Sequence, residues 1–296
     1  MTGTEEKILV LARARGFCGV VREALAALEK LLAEHPDAPL CVLHDLVHNR
    51  HVRESFIRRG VRFIDDLAEL PSGACLLLGA HGVPPETARR ARELASVVVD
   101  TTCPLVRARQ REAAKLEPGD TLILLGHVRH HETIGIIGWS GAGTNLVAAS
   151  AEEAERIEVA TDSPVLLTQT SFDAFELERC REVLGRRFPG LSFRGGPCGA
   201  SLARQAAVER LARQVDAVAV AGSPHSSNAR RLCETAERCG ARAVLVESAA
   251  ELPDELFELR RVGLTAGAST PDADVDEMSA AFAAAGFRIG EDPTAE

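Results

Sequence analysis

The chain has no apolar run long enough to cross a bilayer and no cluster of basic residues. Its longest apolar stretches, such as residues 75–80, have the length of a strand, whereas a membrane-spanning helix needs about 20 apolar residues. The formal net charge is −9, and no basic stripe with interleaved aromatic residues is present. A nucleic-acid partner would need such a surface. We therefore expect neither a membrane nor a nucleic acid among the partners of this chain.

The sequence also lacks a secretory signal and short metal-binding cysteine pairs. The first residues do not show a positive segment followed by a long apolar one, which predicts a cytoplasmic location. In such a reducing compartment, the eight cysteines are not expected to form disulfides. No C-x-x-C pair offers a short zinc clamp. The cysteines therefore need another explanation.

Three cysteines occupy similar local positions along the chain. Short apolar runs alternate with helical patterns throughout, which is typical of α/β folds with parallel sheets built from βαβ units. Cys18, Cys103 and Cys198 each follow an apolar run and precede a helical pattern. The repetition predicts three similar α/β modules at residues 18–102, 103–197 and 198–286, with residues 1–17 and 287–296 as terminal segments.

A cysteine at a helix N-terminus is well placed for metal binding. The unpaired N–H groups and the positive end of the helix dipole favour thiolate over thiol. Three thiolates without a fourth suggest an iron–sulfur cluster with one iron left open for a substrate, because fully ligated clusters normally take four cysteines. The alternative is that these are three ordinary buried cysteines, since cysteine is among the most frequently buried residues.

Polar residues that follow the predicted strands suggest an anion site. Ser226, Ser227 and Asn228 begin a predicted helix, and Ser269 lies in another turn. Their hydroxyl, amide and N–H groups can bind an oxyanion such as phosphate. For any one of these residues the alternative is simple N-capping. Their occurrence at corresponding strand ends favours the anion site.

Histidines and one carboxylate follow other strands. His48, His81 and His130 can donate to the same anion or act as acid–base groups, because the pKa of histidine lies near neutrality. The alternative is that each is an ordinary surface histidine. Glu132 is the only carboxylate inside such a motif, and in a closed pocket it would make a proton relay. Its alternative role is a solvated loop charge.

As a set, these motifs resemble the 4-hydroxy-3-methylbut-2-enyl diphosphate reductase family of the LytB type. The resemblance runs in order from about residue 8 to residue 286. The motifs that carry it are Gly16-Phe17-Cys18, Val47-His48-Asn49-Arg50, Ala80-His81-Gly82-Val83, residues 100–106 around Cys103, Gly126-His127 with His130 and Glu132, Thr168-Gln169-Thr170, Ser226-Ser227-Asn228 and residues 265–269.

The resemblance implies a fold and a cofactor. The three parallel-sheet α/β modules would form a pseudo-threefold trefoil around a central 4Fe-4S cluster, bound by Cys18, Cys103 and Cys198. The family reaction is a two-electron reductive dehydration in non-mevalonate isoprenoid biosynthesis, which yields isopentenyl and dimethylallyl diphosphates. Ferredoxin or flavodoxin would supply the electrons.

The resemblance also implies roles for individual residues. Glu132 would deliver protons, Thr170 would place the substrate hydroxyl, and His130 would stand beside them as a further catalytic candidate. The residues that would bind the substrate diphosphate are His48, His81, His130, Ser226, Ser227, Asn228 and Ser269, while Thr170 would bind the other end of the substrate.

The chain departs from the family pattern around the cluster and at the carbon end of the substrate, at Val20, Ile134, Trp139, Gly199, Leu202 and Ala203. Two alternatives therefore stay open beside the family reaction. One is a divergent paralogue that acts on a related allylic diphosphate, with Trp139 and Leu202 reshaping the apolar end. The other is a non-catalytic cluster protein that senses redox state or diphosphates. The presence of both Glu132 and Thr170 argues against a sensor, because binding alone needs no proton relay.

Overall fold

The structure, a computed structural model, describes residues 6–292. The outermost parts of the two predicted terminal segments, residues 1–5 and 293–296, lie outside the described residues. The strands are β1 Ile8–Leu11, β2 Leu40–Leu43, β3 Arg62–Ile64, β4 Cys75–Leu78, β5 Val97–Asp100, β6 Thr121–Leu125, β7 Thr144–Ala148, β8 Val165–Thr168, β9 Ser192–Phe193, β10 Ala217–Ala221, β11 Arg242–Val246, β12 Arg261–Ala266 and β13 Arg288–Glu291. The α-helices are α1 Gly19–Glu34, α2 Arg50–Ile57, α3 Pro85–Leu94, α4 Pro104–Ala114, α5 His131–Trp139, α6 Ala151–Glu155, α7 Ala174–Arg187, α8 Gly199–Ala212, α9 Ser227–Arg238, α10 Asp254–Phe257 and α11 Asp272–Ala284.

These strands form three parallel sheets. The orders are β11-β10-β12-β1-β13, β3-β2-β4-β5 and β7-β6-β8-β9, and every paired strand runs parallel to its neighbour. The prediction of three parallel-sheet α/β modules is confirmed. The exact module boundaries given above stay a prediction.

The two four-stranded sheets share one topology. Numbered within each sheet, the strands run in the order 2-1-3-4. The five-stranded sheet repeats this order if β10, β11 and β12 are its first three strands and β1 is its fourth, with β13 added at the edge. The fourth strand of the third module therefore comes from the N-terminal segment, because Leu9 of β1 pairs with Val262 of β12.

This topology gives the three cysteines one common place. Cys103 follows β5 and Cys198 follows β9, the fourth strands of their sheets. Cys18 follows β1, the equivalent strand in the third sheet. The sequence repeat therefore reflects a structural repeat, in which each cysteine comes after the fourth strand of its sheet. This strand pairs with strand 3 on the side away from strand 1.

The described residues divide into two compact units: residues 6–21, 48–52 and 199–292, and residues 22–47 and 53–198. In the first unit, one face of the five-stranded sheet packs against α11 through Met278 and Phe282. The other face packs against α8 and α9 through Leu211 and Leu232. Because both faces are covered, the interior strand β10 is buried at all five positions, as expected for a parallel sheet.

The second unit contains the two four-stranded sheets. The central strands β4 and β6 are buried along their whole length, which explains their continuous apolar sequences. Leu184 of α7 and Phe172 belong to the core on one face of the β6–β8 sheet, and Ile136 of α5 belongs to the core on the other. Among the described residues, no helix has the length and apolar content to cross a membrane.

Two glycines offer a matched test of this packing. A methyl group on Gly141 would overlap the backbone carbonyl oxygen of Leu116, whereas one on Gly185, exposed in α7, would meet nothing within 4 Å. We expect Gly141→Ala to lower the free energy of unfolding by about 1–3 kcal/mol, because a backbone atom must move. Gly185→Ala should raise it by roughly 0.5–1 kcal/mol through helix propensity. Denaturant unfolding checks both values, and equal effects of the two variants would contradict the packing described here.

Candidate active site

The predicted site residues lie in loops at the carboxyl ends of the strands. In each sheet the connections from strand 1 and from strand 3 leave in opposite directions, which opens a crevice between the two loops. In the first unit these loops follow β10 and β12, and they carry Ser226 and Ser269. In the second unit the loops that follow β6 and β8 carry His130 and Thr170.

In the first unit, the loop before α1 holds Cys18. The N–H of Cys18 donates to the carbonyl oxygen of Ala268 at 3.2 Å. Gly16 has a φ of +72°, a conformation that glycine adopts without strain, and its carbonyl oxygen accepts from buried Arg204. Cys18 is therefore fixed beside the turn that carries Ser269, directly ahead of α1.

The start of α9 has the features of an anion site. Ser226 caps the helix, because its Oγ accepts from the N–H of Ala229 at 3.3 Å. Capping uses the hydroxyl as an acceptor, so its own hydrogen can still be donated to an anion. The hydroxyl of Ser227 differs, since its Oγ is buried and has no hydrogen-bond partner among the described residues. A buried hydroxyl without a partner is costly. Together with the free N–H groups of the first helical turn, it is well suited to bind an oxyanion.

Asn228 connects α9 to two neighbouring elements. Its Oδ1 accepts from the N–H of Ala268 at 2.9 Å, and its Nδ2 donates to Oγ of Ser201 at 3.2 Å. The side chain of Asn228 thus holds the Ser269 turn against the start of α9. Its amide is occupied within the protein, so it positions this loop in the structure described here.

The segment that carries His48 is anchored by the next residue. The Nδ2 of Asn49 donates to Oδ2 of Asp274 in α11 at 3.1 Å, with both side chains buried. The Oδ1 of Asn49 accepts from the N–H of Val52 in the first turn of α2. Burial raises the pKa of Asp274, while its contacts with Asn49 and with His51 lower it. Asn49 therefore fixes the position of His48 within the first unit.

In the second unit, Cys103 lies directly ahead of α4, at its N-cap position. Its N–H donates to the carbonyl oxygen of Ala80 at 2.9 Å, which joins it to the loop that carries His81. Pro104 occupies the first position of the helix, where its missing N–H needs no acceptor. The sequence prediction of a helix directly after Cys103 is therefore confirmed.

His81 and His130 lie together in the second unit. Their rings meet edge to face, with centroids 5.2 Å apart. The Nδ1 of His130 accepts from the N–H of Glu132 at 3.2 Å. Because Nδ1 acts as the acceptor, the neutral ring carries its proton on Nε2. His130 therefore both caps α5 and offers an Nε2–H donor.

Glu132 is the most strongly perturbed acid of the site. Its side chain is 2% exposed, so the alternative of a solvated loop charge is wrong. Its Oε1 accepts from the N–H of Thr170 at 2.6 Å, and its Oε2 lies 2.9 Å from Oγ1 of Thr170. Burial raises the pKa of Glu132 to about 7, because desolvation of the carboxylate outweighs the opposing effects of Thr170 and of the positive charge on Arg109.

The loop of Cys198 is attached to the same strand end. The N–H of Cys198 donates to the carbonyl oxygen of Thr170 at 2.8 Å. Thr170 therefore contacts Glu132 with its N–H and hydroxyl, and Cys198 with its carbonyl group. None of the eight cysteines, all of which lie within the described residues, forms a disulfide.

Two residues of the site were not among those predicted from the sequence. Arg109 donates to the carbonyl oxygen of Gly196, and Arg204 donates to that of Gly16. Trp139, which the sequence marked as a departure from the family pattern, donates from Nε1 to the carbonyl oxygen of Val83 at 3.0 Å. In the sequence, Arg109 is one of three alternating arginines, a pattern typical of an exposed helix face. The sequence feature related to Arg109 is the Gly195-Gly196 pair just ahead of Cys198, because two residues without side chains leave room for another group to approach the backbone.

Comparisons with known proteins agree with these motifs. The family model described as LytB protein matches residues 9–283. A 4-hydroxy-3-methylbut-2-enyl diphosphate reductase from Neisseria meningitidis serogroup C (strain 053442) is 38% identical over 279 residues, which cover 93% of this chain and 86% of that protein. The enzyme of the same name from Desulfotalea psychrophila is 38% identical over 273 residues, which cover 90% of this chain and 86% of that protein.

Two solved structures have similar folds. The E-1-hydroxy-2-methyl-but-2-enyl-4-diphosphate reductase from Plasmodium falciparum matches with a TM-score of 0.88 and 26% identity, over 98% of this chain and 94% of its own. An (E)-4-hydroxy-3-methyl-but-2-enyl diphosphate reductase, described as the terminal enzyme of the non-mevalonate pathway, matches with a TM-score of 0.64 and 26% identity. The match covers 94% of this chain and 99% of that one.

The raised pKa of Glu132 predicts a pH-dependent stability. Because this pKa lies above the value of 4.5 for a free glutamate, the folded state retains a proton that the unfolded state loses, and stability falls as pH rises from about 4.5 to about 7. Glutamine cannot ionise, so Glu132→Gln should not show this loss. From about pH 5 to pH 8, the free energy of unfolding of the unsubstituted chain should therefore fall by roughly 2–3 kcal/mol relative to that of Glu132→Gln. Denaturant unfolding at both pH values measures this fall. Glu158→Gln, at an exposed loop position, is the control, and the same small change in both variants would contradict the raised pKa.

Proposed function

The chain belongs to the LytB protein family, and we propose that it reduces 4-hydroxy-3-methylbut-2-enyl diphosphate to isopentenyl and dimethylallyl diphosphates. The single observation that carries this proposal is the buried Glu132–Thr170 pair, which lies beside the loop of Cys198. A protein that only binds a diphosphate has no use for a neutral acid held at a strand end. The protein is thus an oxidoreductase of the non-mevalonate route to isoprenoids.

The chemistry of the cysteines fits the iron–sulfur cofactor of this family. Cys18, Cys103 and Cys198 are half-buried, and each follows the fourth strand of its sheet. Cys41, Cys75 and Cys180 are instead fully buried within sheets or cores. We propose that the first three bind a 4Fe-4S cluster and leave its fourth iron without a protein thiolate. When bound, the cluster supplies electrons and a Lewis-acidic iron for the substrate hydroxyl.

The proposed reaction consumes two electrons and two protons. The allylic C–O bond breaks, the hydroxyl group leaves as water and the carbon skeleton takes up a proton. Glu132 suits the first proton transfer, because its pKa of about 7 keeps a large fraction of the carboxyl groups protonated near neutral pH. In the ionised form Oε1 accepts from the N–H of Thr170 and Oε2 accepts from its hydroxyl. Because a hydroxyl can turn from donor to acceptor whereas an N–H cannot, Oε2 is the oxygen suited to hold the proton. The threonine hydroxyl can pass the proton on and orient the substrate hydroxyl.

The diphosphate needs donors that tolerate several negative charges. We propose that the diphosphate is bound by the histidines and the hydroxyl and amide residues identified above, namely His48, His81, His130, Ser226, Ser227, Asn228 and Ser269. The unpartnered hydroxyl of Ser227 and the N–H groups at the start of α9 support this assignment. The Nε2–H of His130 is a further donor. Asn228 contributes by holding the Ser269 turn in place.

The electron donor and the location are further parts of the proposal. We propose that ferredoxin or flavodoxin delivers the electrons, as the family resemblance implies, because an iron–sulfur cluster takes up electrons one at a time. A cytoplasmic location fits eight cysteines that form no disulfide, since free thiols persist in reducing compartments.

Turnover by the anaerobically purified chain tests the proposed function. With a chemical reductant, we expect conversion of 4-hydroxy-3-methylbut-2-enyl diphosphate to the two five-carbon products. Glu132→Gln should lower kcat by about 10²- to 10⁴-fold, the usual cost of losing a general acid, with little change in KM. The kcat of the unsubstituted chain should fall above about pH 7 as Glu132 loses its proton, and this decrease should be absent in Glu132→Gln. Near-normal turnover by that variant would place the proton donor elsewhere.

Serine substitutions test the cluster assignment. Replacing Cys18, Cys103 or Cys198 by serine should remove most of the iron, sulfide and broad visible absorbance of the reconstituted protein, because each change removes a thiolate ligand. Cys239→Ser is the matched control, since Cys239 is also half-buried and disulfide-free but lies at the end of α9. If the control lost the cluster and the other three variants kept it, the ligand assignment would be wrong.

A further inference from the structure

Arg109 is a half-buried cation with few partners. It lies on α4, six residues after Cys103, which places it about 9 Å further along the helix. Its Nη2 donates to the carbonyl oxygen of Gly196 at 2.6 Å. Its Nε is buried without an acceptor, and no carboxylate among the described residues forms an ion pair with it. Removing an arginine from water without a carboxylate partner is unfavourable, so its position requires a compensating role.

Gly195 makes room for this guanidinium. A side-chain methyl at this position would overlap Cζ, Nη1 and Nε of Arg109. The φ of Gly195 is not in the left-handed region, so its backbone conformation does not require glycine. The absence of a side chain at residue 195 therefore allows Arg109 to contact the loop.

The loop that Arg109 contacts is also tied to β8. The carbonyl oxygen of Gly195 accepts from the N–H of Thr168 at 3.1 Å, and the N–H of Cys198 donates to Thr170 at 2.8 Å. Arg109 adds the contact to Gly196, which lies between these two hydrogen bonds. Thr170 in turn holds Glu132. One series of contacts therefore runs from α4 through the Cys198 loop to the acid.

We propose that Arg109 is a positioning residue that fixes the loop of Cys198 to the helix that Cys103 begins. It acts through the carbonyl group of Gly196 and requires the bare backbone of Gly195. The inference rests on the proposed function, because Cys198 needs a fixed position only if it binds the cluster. Arg109 also contributes positive charge near Glu132, so its loss changes the environment of both groups.

Hydrogen exchange tests the hold on the loop without relying on turnover. In Arg109→Met, the amide hydrogens of Thr168 and Cys198 should exchange about ten- to hundredfold faster, as expected when a hydrogen bond from a charged donor is lost. Arg109→Lys retains a charged donor and should show a smaller increase. Arg111→Met is the matched control, because Arg111 is exposed on the same helix. Equal exchange rates in the Arg109→Met and Arg111→Met variants would overturn the inference.

Gly195→Ala tests the contact between Arg109 and the Cys198 loop by changing the loop residue. Its methyl group should displace the guanidinium and accelerate exchange as Arg109→Met does. In the Gly195→Ala/Arg109→Ala double variant the methyl group has space, so the combined effect should be smaller than the sum of the effects of Gly195→Ala and Arg109→Ala measured singly. Strict additivity would contradict the contact. Gly119→Ala, at a position with nothing within 4 Å, is the control.

The anaerobically reconstituted protein provides the second readout. Arg109→Met should retain less iron per chain and show about tenfold lower kcat with KM within about twofold, because the contact lies away from the diphosphate donors. Iron content and KM equal to those of the unsubstituted chain, with unchanged kcat, would overturn the positioning role. An unsubstituted chain that binds no iron would overturn the proposed function instead, while the exchange rates still decide whether Arg109 holds the loop.

Discussion

The candidate active site depends on the hydrogen bonds of one residue, Thr170. Its N–H and hydroxyl bind the two oxygens of Glu132, and its carbonyl oxygen accepts from the N–H of Cys198. Thr170 lies just beyond the buried end of β8, so its backbone is held by the sheet. In the proposed reaction, the electrons that a bound cluster would supply and the proton from Glu132 must reach the same C–O bond. Because Thr170 contacts both Glu132 and the loop of Cys198, it fixes the position of one relative to the other.

Burial sets the chemistry of Glu132. A carboxylate in this position loses its hydration, and two hydrogen bonds from Thr170 recover only part of that loss, so the pKa rises to about 7. The neutral acid can donate a proton at physiological pH, whereas an exposed glutamate would already be ionised. The free energy that the fold loses by burying this group is small beside the apolar burial on both sides of β6.

Much of the fold was predictable because its signals are local. Continuous apolar runs predict the buried central strands, and the three cysteines mark the three modules. The pairing of β1 with β12 was not predictable in this way, since residues 8–11 and 261–266 are far apart in the sequence and nothing local selects the partner. The same limit explains why residues 1–17 read as a terminal segment. Nor were the edge strands β3, β7 and β13 predictable from continuous apolar runs, because their sequences are partly exposed and lack such a run.

For the site, the sequence predicted which types of side chain are present better than it predicted their burial and hydrogen bonds. Ser226 and Ser227 are adjacent and chemically identical, yet the Oγ of Ser226 caps α9 while the Oγ of Ser227 has no hydrogen-bond partner within residues 6–292. The burial of Glu132 depends on how α5 packs, which a motif does not reveal. Arg109 has no sequence signature of its own, because its role arises from a loop almost 90 residues further along the chain.

The central claim is that Glu132 is a neutral acid at the start of the reaction. Its protonation state can be followed directly through the side-chain carboxyl carbon in NMR spectra of the chain labelled with ¹³C-glutamate, with Glu132→Gln used to assign the signal. The burial of Glu132 predicts a midpoint near pH 7 for this signal. A midpoint close to 4.5, the ordinary value for glutamate, would contradict it.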